Sequence, residues 1–376
     1  MFFFGIVLLV VFTLMQVYVF GRAASVPFIA RRFSRRSVFV IGLTLWVAFF
    51  AGRSVEHSYS GPIVSYLELF GMCWLAALFL IFFCLLVADI VTGFGLLFPK
   101  LAPALRGWAL IAGCLLSSFA LIQGMRPPVV RSYEVELPRL PVQYDGTIAV
   151  VISDTHLGSL IGETWLAARV AQIRRLKPDL IFLLGDIFEG HGRPAGAMLA
   201  DLRQLSAPMG LWAVPGNHEW WGSGAGMDVL QEAGFQVLQN RWSEVRPGLT
   251  LIGVQDLTMT HRHGNSGADP LGNALPGLPA ASASILLSHS PLQARRAADA
   301  GVGLMLCGHT HGGQIWPFSY LVRLSYSMMG GRYGVNGMTV IVCRGTGTWG
   351  PRMRLWLPGE ILKITLRSPG RHMSGN

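Results

Sequence analysis

The sequence has few charged residues. Asp, Glu, Lys and Arg make up 13% of its 376 residues, whereas an ordinary soluble domain has about a quarter. The deficit is local, because residues 1–125 contain 8 basic and 3 acidic residues and the remainder contains 22 and 17. A wholly soluble chain does not fit this composition. The composition instead predicts a membrane region followed by a globular domain of about 250 residues.

Cysteine is also scarce. The five cysteines are too few and too scattered for a disulfide framework, and Cys73, Cys84 and Cys114 fall in apolar segments. A bridge between Cys307 and Cys343 remains an alternative, but two buried thiols in strands are the favoured interpretation.

Basic runs interleaved with aromatic side chains are missing as well. The formal net charge is +10, but half of it lies beside the apolar segments, where Lys and Arg orient membrane helices. We therefore expect no nucleic-acid partner.

Four apolar segments fit membrane helices, which need about 20 residues each. The second is short, but the long side chains of Arg35, Arg36 and Arg53 at its ends can reach the interface. The start does not resemble a signal peptide, because no basic residue precedes Arg22. The segments are 1–20, 38–51, 69–88 and 107–124.

The basic residues of the N-terminal region predict its orientation. Those between the first and second segments are Arg22, Arg31, Arg32, Arg35 and Arg36, and those between the third and fourth are Lys100 and Arg106. Both loops are therefore predicted to be cytoplasmic, and the C-terminal domain extracytoplasmic. If the short second segment does not span, the domain moves to the cytoplasm.

The rest of the chain is predicted to be a proline-punctuated linker, 126–146, and an α/β domain, 147–376. Buried strands at 148–152, 180–184 and 211–214 alternate with helical patterns at 163–176 and 195–205. Later strand-like runs lie at 249–254, 284–287, 303–307, 338–342 and 361–366. This order favours two packed sheets with helices outside.

Metal-binding side chains recur where these strands end. Because the carboxyl ends of strands in an open α/β sheet share one edge, we expect a single cluster. Carboxylate, imidazole and amide ligands suit Mn, Fe or Zn better than Ca²⁺ or Mg²⁺. Seven ligands exceed the need of one such ion and fit two. They are Asp154, His156, Asp186, Asn217, His289, His309 and His311.

In this order the motifs Asp-x-His, Gly-Asp, Gly-Asn-His-Glu, a lone His and Gly-His-x-His resemble the calcineurin-like metallophosphoesterase superfamily. The strings at 308–317 (GHTHGGQIWP) and 344–351 (RGTGTWGP) resemble its membrane-associated or exported bacterial branch. The resemblance implies a double β-sandwich flanked by helices and a dinuclear site. Together with the four apolar segments it predicts a multi-pass protein of the bacterial inner membrane.

The resemblance also implies a role for each residue. Asp154, His156 and His311 would bind the first metal. Asn217, His289 and His309 would bind the second, with Asp186 bridging both. A metal-bridging hydroxide would attack the phosphate, and His218 would protonate the departing oxygen. By analogy, Asp154 and Glu219 would orient imidazoles.

Aromatic and basic residues near these motifs are candidates for substrate recognition. Trp220 and Trp221 follow one motif, and an apolar run at 315–322 follows another. They could form an apolar lip for a lipid-linked substrate or pack under a loop. Five arginines could clamp a phosphate or remain surface charge: Arg323, Arg332, Arg344, Arg352 and Arg354.

The sequence thus predicts a membrane-anchored dinuclear-metal enzyme that hydrolyses a phosphodiester or a related phosphoester or pyrophosphate bond, with the bilayer as its other partner. One alternative is a pyrophosphate hydrolase of the UDP-2,3-diacylglucosamine type in lipid A synthesis, with a cytoplasmic domain. A second is a non-catalytic scaffold or binding protein, although such proteins usually lose ligands. A third, in which the helices transport or sense a solute, lacks a charge in mid-helix to support it.

Overall fold

A computed structural model of the chain describes residues 2–56, 61–189, 194, 196–221, 225–262 and 269–369. The chain forms two compact units. The helical unit comprises residues 1–126 together with 350–356, and the α/β unit comprises 127–349 together with 357–376.

The helical unit contains four helices long and apolar enough to cross a membrane, within the part of the chain that the structure describes. The short second segment lies in a helix of 22 residues, which extends about 33 Å at 1.5 Å per residue. The prediction of four apolar helices is therefore confirmed. The helices are α1 (Phe2–Ala23), the short α2 (Pro27–Ala30), α3 (Arg35–Glu56), α4 (Pro62–Val91) and α5 (Ala102–Met125).

A buried carboxylate joins three of these helices. Asp89, near the end of α4, pairs with Arg22 Nε at 2.6 Å and with Arg106 Nε at 2.7 Å. It also accepts a hydrogen bond from the Tyr18 hydroxyl at 2.6 Å. The end of α1, the end of α4 and the beginning of α5 therefore meet. Arg106 lies inside α5 and not in the loop where the sequence analysis placed it.

Residues 350–356 belong to the helical unit through contacts with α5. The backbone N–H of Arg354 donates to the Ala120 carbonyl at 2.9 Å. The backbone N–H of Trp356 donates to Gln123 Oε1 at 2.9 Å, and its ring lies 5.5 Å from that of Phe119. Arg354 is fully buried, so it is not a surface clamp for phosphate.

The α/β unit is built from two six-stranded mixed sheets. The strands are β1 (Val129–Glu136), β2 (Ile148–Ile152), β3 (Leu180–Leu184), β4 (Leu211–Val214), β5 (Gln236–Val237), β6 (Arg241–Arg246), β7 (Leu249–Gly253), β8 (Ala283–Leu287), β9 (Leu304–Cys307), β10 (Gly331–Val335), β11 (Met338–Val342) and β12 (Glu360–Arg367). The first sheet has the order β1-β12-β2-β3-β4-β5, and the second has the order β10-β11-β9-β8-β7-β6.

Helices accompany both sheets. They are α6 (Glu163–Arg175), α7 (Gly196–Leu202), α8 (Asn217–Trp221), α9 (Ala225–Glu232), α10 (Leu257–Arg262), α11 (Pro270–Ala274), α12 (Ala294–Asp299) and α13 (Ser319–Ser325). The prediction of an α/β domain with two sheets flanked by helices is confirmed.

The strands are apolar on both faces because each sheet lies between its partner and a layer of helices. In β3, Leu180, Phe182 and Leu184 face the core between the sheets. Ile181 and Leu183 pack instead with residues of α6, α7 and α9. This alternation of two apolar faces is why the strands read as continuous hydrophobic runs.

One segment differs from its prediction. The span assigned to a linker contains β1, which pairs in parallel with β12 at the edge of the first sheet. Most residues of β1 are exposed, as its charged sequence implies, and for this reason the segment resembled a loop. Cys307, at the end of β9, and Cys343, directly after β11, are buried free thiols. The interpretation of both as buried thiols is confirmed, although Cys343 lies just outside its strand.

Candidate metal centre

Every predicted ligand lies shortly after a strand, either in the loop or, for Asn217 and His311, at the first residue of the short helix that follows. Three loops leave the neighbouring parallel strands β2, β3 and β4 of the first sheet, and two leave the neighbouring parallel strands β8 and β9 of the second. Because parallel neighbours end at one edge, these loops converge as expected. Six of the seven residues form two groups of potential ligands whose binding atoms lie within 4.8 Å of one another.

The first ligand group consists of Asp154, His156 and His311, all buried. His156 Nε2 lies 3.1 Å from His311 Nε2, and His311 Nε2 lies 3.4 Å from Asp154 Oδ1. Three potential donor atoms therefore face one another in a space that a single cation could occupy.

The second ligand group consists of Asp186, His289 and His309. His289 Nε2 lies 3.2 Å from Asp186 Oδ2 and 3.1 Å from His309 Nδ1. Asn217 directly precedes His218 in the chain. The backbone N–H of His218 donates to Asp186 Oδ1 at 2.9 Å, and this bond connects the segment of Asn217 to the second group.

Asp186 belongs to the second group but also approaches the first. Its Oδ2 is 3.2 Å from His289 Nε2 in the second group and 3.9 Å from His156 Nε2 in the first. Burial alone would raise the pKa of Asp186, but His289 and His218 hold it well below its usual range. The side chain is thus an anion within reach of both groups, which is the geometry that a bridging carboxylate needs.

The backbone of these loops is held in a rare conformation. Five of the seven predicted ligands have left-handed φ angles between 48° and 72°: Asp154, His156, Asp186, His309 and His311. Such conformations cost of order 1–3 kcal/mol each and concentrate at functional sites. Glycine permits the close approach of the loops, because a Cβ on Gly216 would lie 2.5 Å from the backbone nitrogen of Asp186.

Hydrogen bonds decide which imidazole nitrogen faces the centre. His289 Nδ1 lies 2.7 Å from the Leu184 carbonyl, which can only accept, so Nδ1 donates there and Nε2 is the nitrogen that faces Asp186. His156 Nδ1 contacts Glu189 Oε2 at 2.5 Å. In both residues Nδ1 is held by a protein acceptor and Nε2 faces Asp186, which is the arrangement of metal-binding histidines.

A further observation supports a divalent metal ion at this site. Asn217 Oδ1 is buried and, among the described residues, has no hydrogen-bond partner, a state that costs about 1–3 kcal/mol unless a cation or water satisfies it. Imidazole nitrogens with carboxylate and amide oxygens suit borderline cations such as Mn, Fe and Zn. The α/β unit therefore carries candidate ligand groups for metal.

His218 lies beside these two ligand groups and forms a third group of potential ligands with His156 and Glu189. Its Nε2 is 3.9 Å from Asp186 Oδ2, and its Nδ1 is 3.2 Å from Glu189 Oε2. Burial would lower the pKa of His218, but the carboxylates of Asp186 and Glu189 outweigh it and raise that pKa to about 9. His218 is thus protonated at neutral pH and can donate a proton.

Sequence reasoning missed Glu189. It contacts both His156 and His218 because a parallel bridge between Leu157 and Phe188 carries the second loop alongside the first. Its spacing, three residues after Asp186, is the signal that could have found it. Tyr326 was also missed. Its hydroxyl lies 2.7 Å from His309 Nε2, a contact that no spacing in the sequence indicates.

Glu219 does not orient an imidazole as the analogy suggested. Its carboxylate accepts from the backbone N–H groups of Asp186 at 2.9 Å, Ile187 at 2.8 Å and Gly216 at 2.7 Å. Two ligand loops of the first sheet are therefore held together by one buried side chain. The capacity of a carboxylate to accept several such bonds explains why an acid stands at this position.

We expect Glu219→Gln to lower both stability and metal occupancy. An amide has one acceptor oxygen in place of two, so at least one of the buried N–H groups loses its partner, at a cost of about 1–3 kcal/mol. Thermal unfolding and elemental analysis of the purified variant measure this. Glu244→Gln, at an exposed glutamate of β6, is the control, and equal stability of the two variants would contradict the assignment.

The residues predicted to recognise substrate separate into groups. Phe318, Tyr320 and Leu321, at the beginning of α13, are exposed, as a lip requires. The side chains of Trp220 and Trp221 lie outside the described residues. Of the arginines, Arg323 and Arg344 line one cavity. Arg332 donates to the Glu134 carbonyl, and the remaining two belong to the helical unit.

Together, the double sheet and the two ligand groups at one edge define the class of α/β hydrolases that bind two metals and act on phosphate esters. The model of the calcineurin-like phosphoesterase family matches residues 149–313. An uncharacterized metallophosphoesterase of Aquifex aeolicus is 33% identical over 250 residues, which cover 64% of this chain and 92% of that one. The chain belongs to the calcineurin-like metallophosphoesterase family, whose members are metal-dependent hydrolases.

Two vertebrate relatives also have membrane segments by name. "Transmembrane protein with metallophosphoesterase domain" of Bos taurus is 33% identical over 284 residues, covering 71% of this chain and 63% of its own length. The protein of the same name from Danio rerio is 31% identical, covering 69% and 62%. The chain thus spans less than two thirds of these relatives. Their names and the four apolar helices identify a membrane protein.

Proposed function

We propose that the protein is a membrane-anchored phosphoesterase that uses two divalent metal ions to hydrolyse a phosphodiester or a related phosphoester or pyrophosphate bond. The observation that carries the proposal is the position of Asp186 Oδ2, within 3.9 Å of an imidazole from each ligand group. When bound, two cations hold phosphate oxygens and lower the pKa of a shared water.

The chain's own residues account for the remaining chemistry. Asp154, His156 and His311 would hold the first ion, and Asn217, His289 and His309 the second. His218 would donate a proton to the departing oxygen, since its pKa of about 9 keeps it protonated at neutral pH. Glu189 would hold the imidazole of His218 in position through its contact at 3.2 Å.

A metal-dependent hydrolysis assay tests the proposal. The purified full chain is stripped with a chelator, reloaded with Mn²⁺, Fe²⁺ or Zn²⁺, and assayed with bis-p-nitrophenyl phosphate, p-nitrophenyl phosphate and a lipid-linked diphosphate. We expect the chelator to remove the activity and at least one ion to restore it about a hundredfold or more. Activity in material that elemental analysis finds free of metal would contradict the proposal.

A lipid-linked substrate is the extension that we favour. The chain carries its own membrane spans, so a lipid phosphoester in the same bilayer is at high local concentration. The exposed apolar side chains of Phe318 and Leu321 lie just beyond the loop that holds His309 and His311, where an apolar tail could contact them.

Membrane orientation separates this proposal from its alternative. The contact of Asp89 with Arg22 and Arg106 joins helix ends that the basic residues assign to one side. It supports four spans, and the basic residues at these ends then favour an extracytoplasmic domain. The inner membrane of a bacterium stays the location that we propose from the sequence motifs. We expect alkaline phosphatase fused after Asn376 to be active and a green fluorescent protein fusion to be dark. The reverse pattern would favour the UDP-2,3-diacylglucosamine-type pyrophosphate hydrolase.

The non-catalytic scaffold is less well supported. All seven predicted ligand positions and His218 are filled by residues able to bind metal or transfer a proton. A binding protein would not need the left-handed backbone at five of them.

A further inference from the structure

A cavity of about 270 Å³ lies in the α/β unit beside the metal loop. Gly312, which directly follows His311, forms part of its wall together with Met329 and Gly330. The wall is tied to the loop between the two histidines, because the Thr310 hydroxyl donates to the Met329 carbonyl at 2.6 Å. α13 supplies the opposite wall through Tyr320 and Arg323.

The α13 wall is also fixed to the centre. Tyr326, the residue that caps α13, contacts His309 at 2.7 Å. Both walls of the cavity are thus anchored to the loop that carries two predicted ligands. A molecule bound at the metal centre could extend into the cavity.

Two arginine side chains line this space. The side chain of Arg344 crosses two glycines, since a Cβ on Gly330 would lie 2.6 Å from Arg344 Cγ and a Cβ on Gly312 would lie 3.3 Å from it. These glycines leave room for the arginine side chain, which lines the cavity. Arg323 is exposed on α13 and lines the same space.

The charge of this region is positive. Glu360, buried beneath, is shared by two arginines: Arg131 Nε lies 3.0 Å from its Oε2, and Arg344 Nη1 lies 3.6 Å from the same atom. One carboxylate therefore faces two cations, and Arg323 adds a third. Among the described residues that line the cavity, none is acidic, and aromatic rings of Trp316, Tyr320 and Tyr333 complete the lining.

We propose that this cavity is a substrate subsite for a second oxyanion of the phosphate type, carried on the same molecule as the bond that is cleaved at the metal centre. Guanidinium groups bind phosphate oxygens bidentately and select planar pairs of acceptors. The aromatic lining accommodates an apolar linker between the two anionic groups. This inference rests on the proposed function, because it assigns the scissile group to the metal centre.

Matched inhibitors test the subsite. Alkane-1,ω-diphosphonates with two to six carbons are compared with the alkyl monophosphonates of equal length as inhibitors of bis-p-nitrophenyl phosphate hydrolysis by the metal-loaded full chain. We expect at least one diphosphonate to bind about tenfold or more tightly than its monophosphonate, because it gains a charge-assisted contact. The advantage should disappear in the double variant Arg323→Gln/Arg344→Gln and persist in Arg295→Gln, an exposed arginine of α12.

Single variants guard against misfolding. Arg323 is exposed, so Arg323→Gln leaves the packing intact and should reduce the advantage alone. The subsite is contradicted if the diphosphonate advantage survives in the double variant or is missing at every length in the wild type. In either case, metal-dependent hydrolysis by the wild type would still support the proposed function. If no metal supports hydrolysis, the proposed function fails, and calorimetric binding of the same diphosphonates to the metal-loaded protein still decides the role of the arginines.

Discussion

Asp186→Asn is expected to lower turnover by about a thousandfold while the α/β unit stays folded. The amide keeps the volume of the side chain and an oxygen that can accept from the backbone N–H of His218. It loses the negative charge that lies between the two ligand groups. Losses of this size follow when a group that organises charge at a reaction centre is removed.

The measurement combines kcat with metal content and thermal unfolding. We expect the variant to bind less than two equivalents of metal and to unfold within a few degrees of the wild type. Asp228→Asn, at an exposed aspartate of α9, is the matched control and should be fully active. Wild-type turnover in purified Asp186→Asn would refute the bridging role.

His218→Ala is expected to lower kcat by about a hundredfold to ten-thousandfold, the range of general acid catalysis. Its effect should depend on the leaving group. A nitrophenolate departs without a proton, whereas an alkoxide needs one, so the loss should be much larger for an alkyl phosphodiester than for bis-p-nitrophenyl phosphate. Metal content should stay at the wild-type value if His218 is a proton donor, because it is not one of the seven predicted ligands, whereas loss of metal would assign it to the group that it forms with His156 and Glu189. Equal losses for both substrates, or loss of metal, would contradict the assignment.

The pH dependence of kcat provides a second test of the role of His218. A proton donor must be protonated, so the rate should fall as pH rises through the pKa of His218. The carboxylate of Glu189 raises that pKa, and Glu189→Gln should therefore move the alkaline limb of the kcat profile to lower pH. An unchanged limb in Glu189→Gln would show that Glu189 acts only on packing.

The strands that carry the site could be predicted almost to the residue. Those at 148–152, 180–184 and 211–214 coincide with β2, β3 and β4, and those at 284–287 and 303–307 differ from β8 and β9 by one residue at the beginning, because each is a short apolar run. Convergence of their loops also followed, since parallel neighbours end at one edge. The metal roles of the seven ligands stay predictions until they are tested.

The parts that could not be predicted depend on contacts distant in sequence. β1 pairs with β12 more than 200 residues later, and its charged residues resemble those of a linker. Tyr326 reaches His309 because α13 folds back over the loop. For Glu219 the residue was identified but its partners were not, because backbone N–H groups leave no trace in a sequence.

The ligand loops come from two different sheets, three from the first and two from the second. Ions held among them would cross-link the sheets, so neither sheet could detach without releasing metal. Folding of this unit and binding of the metal ions would then be linked, so that the free energy of unfolding would rise with the concentration of free metal. Starvation for metal would therefore lower the stability of this unit as well as its activity.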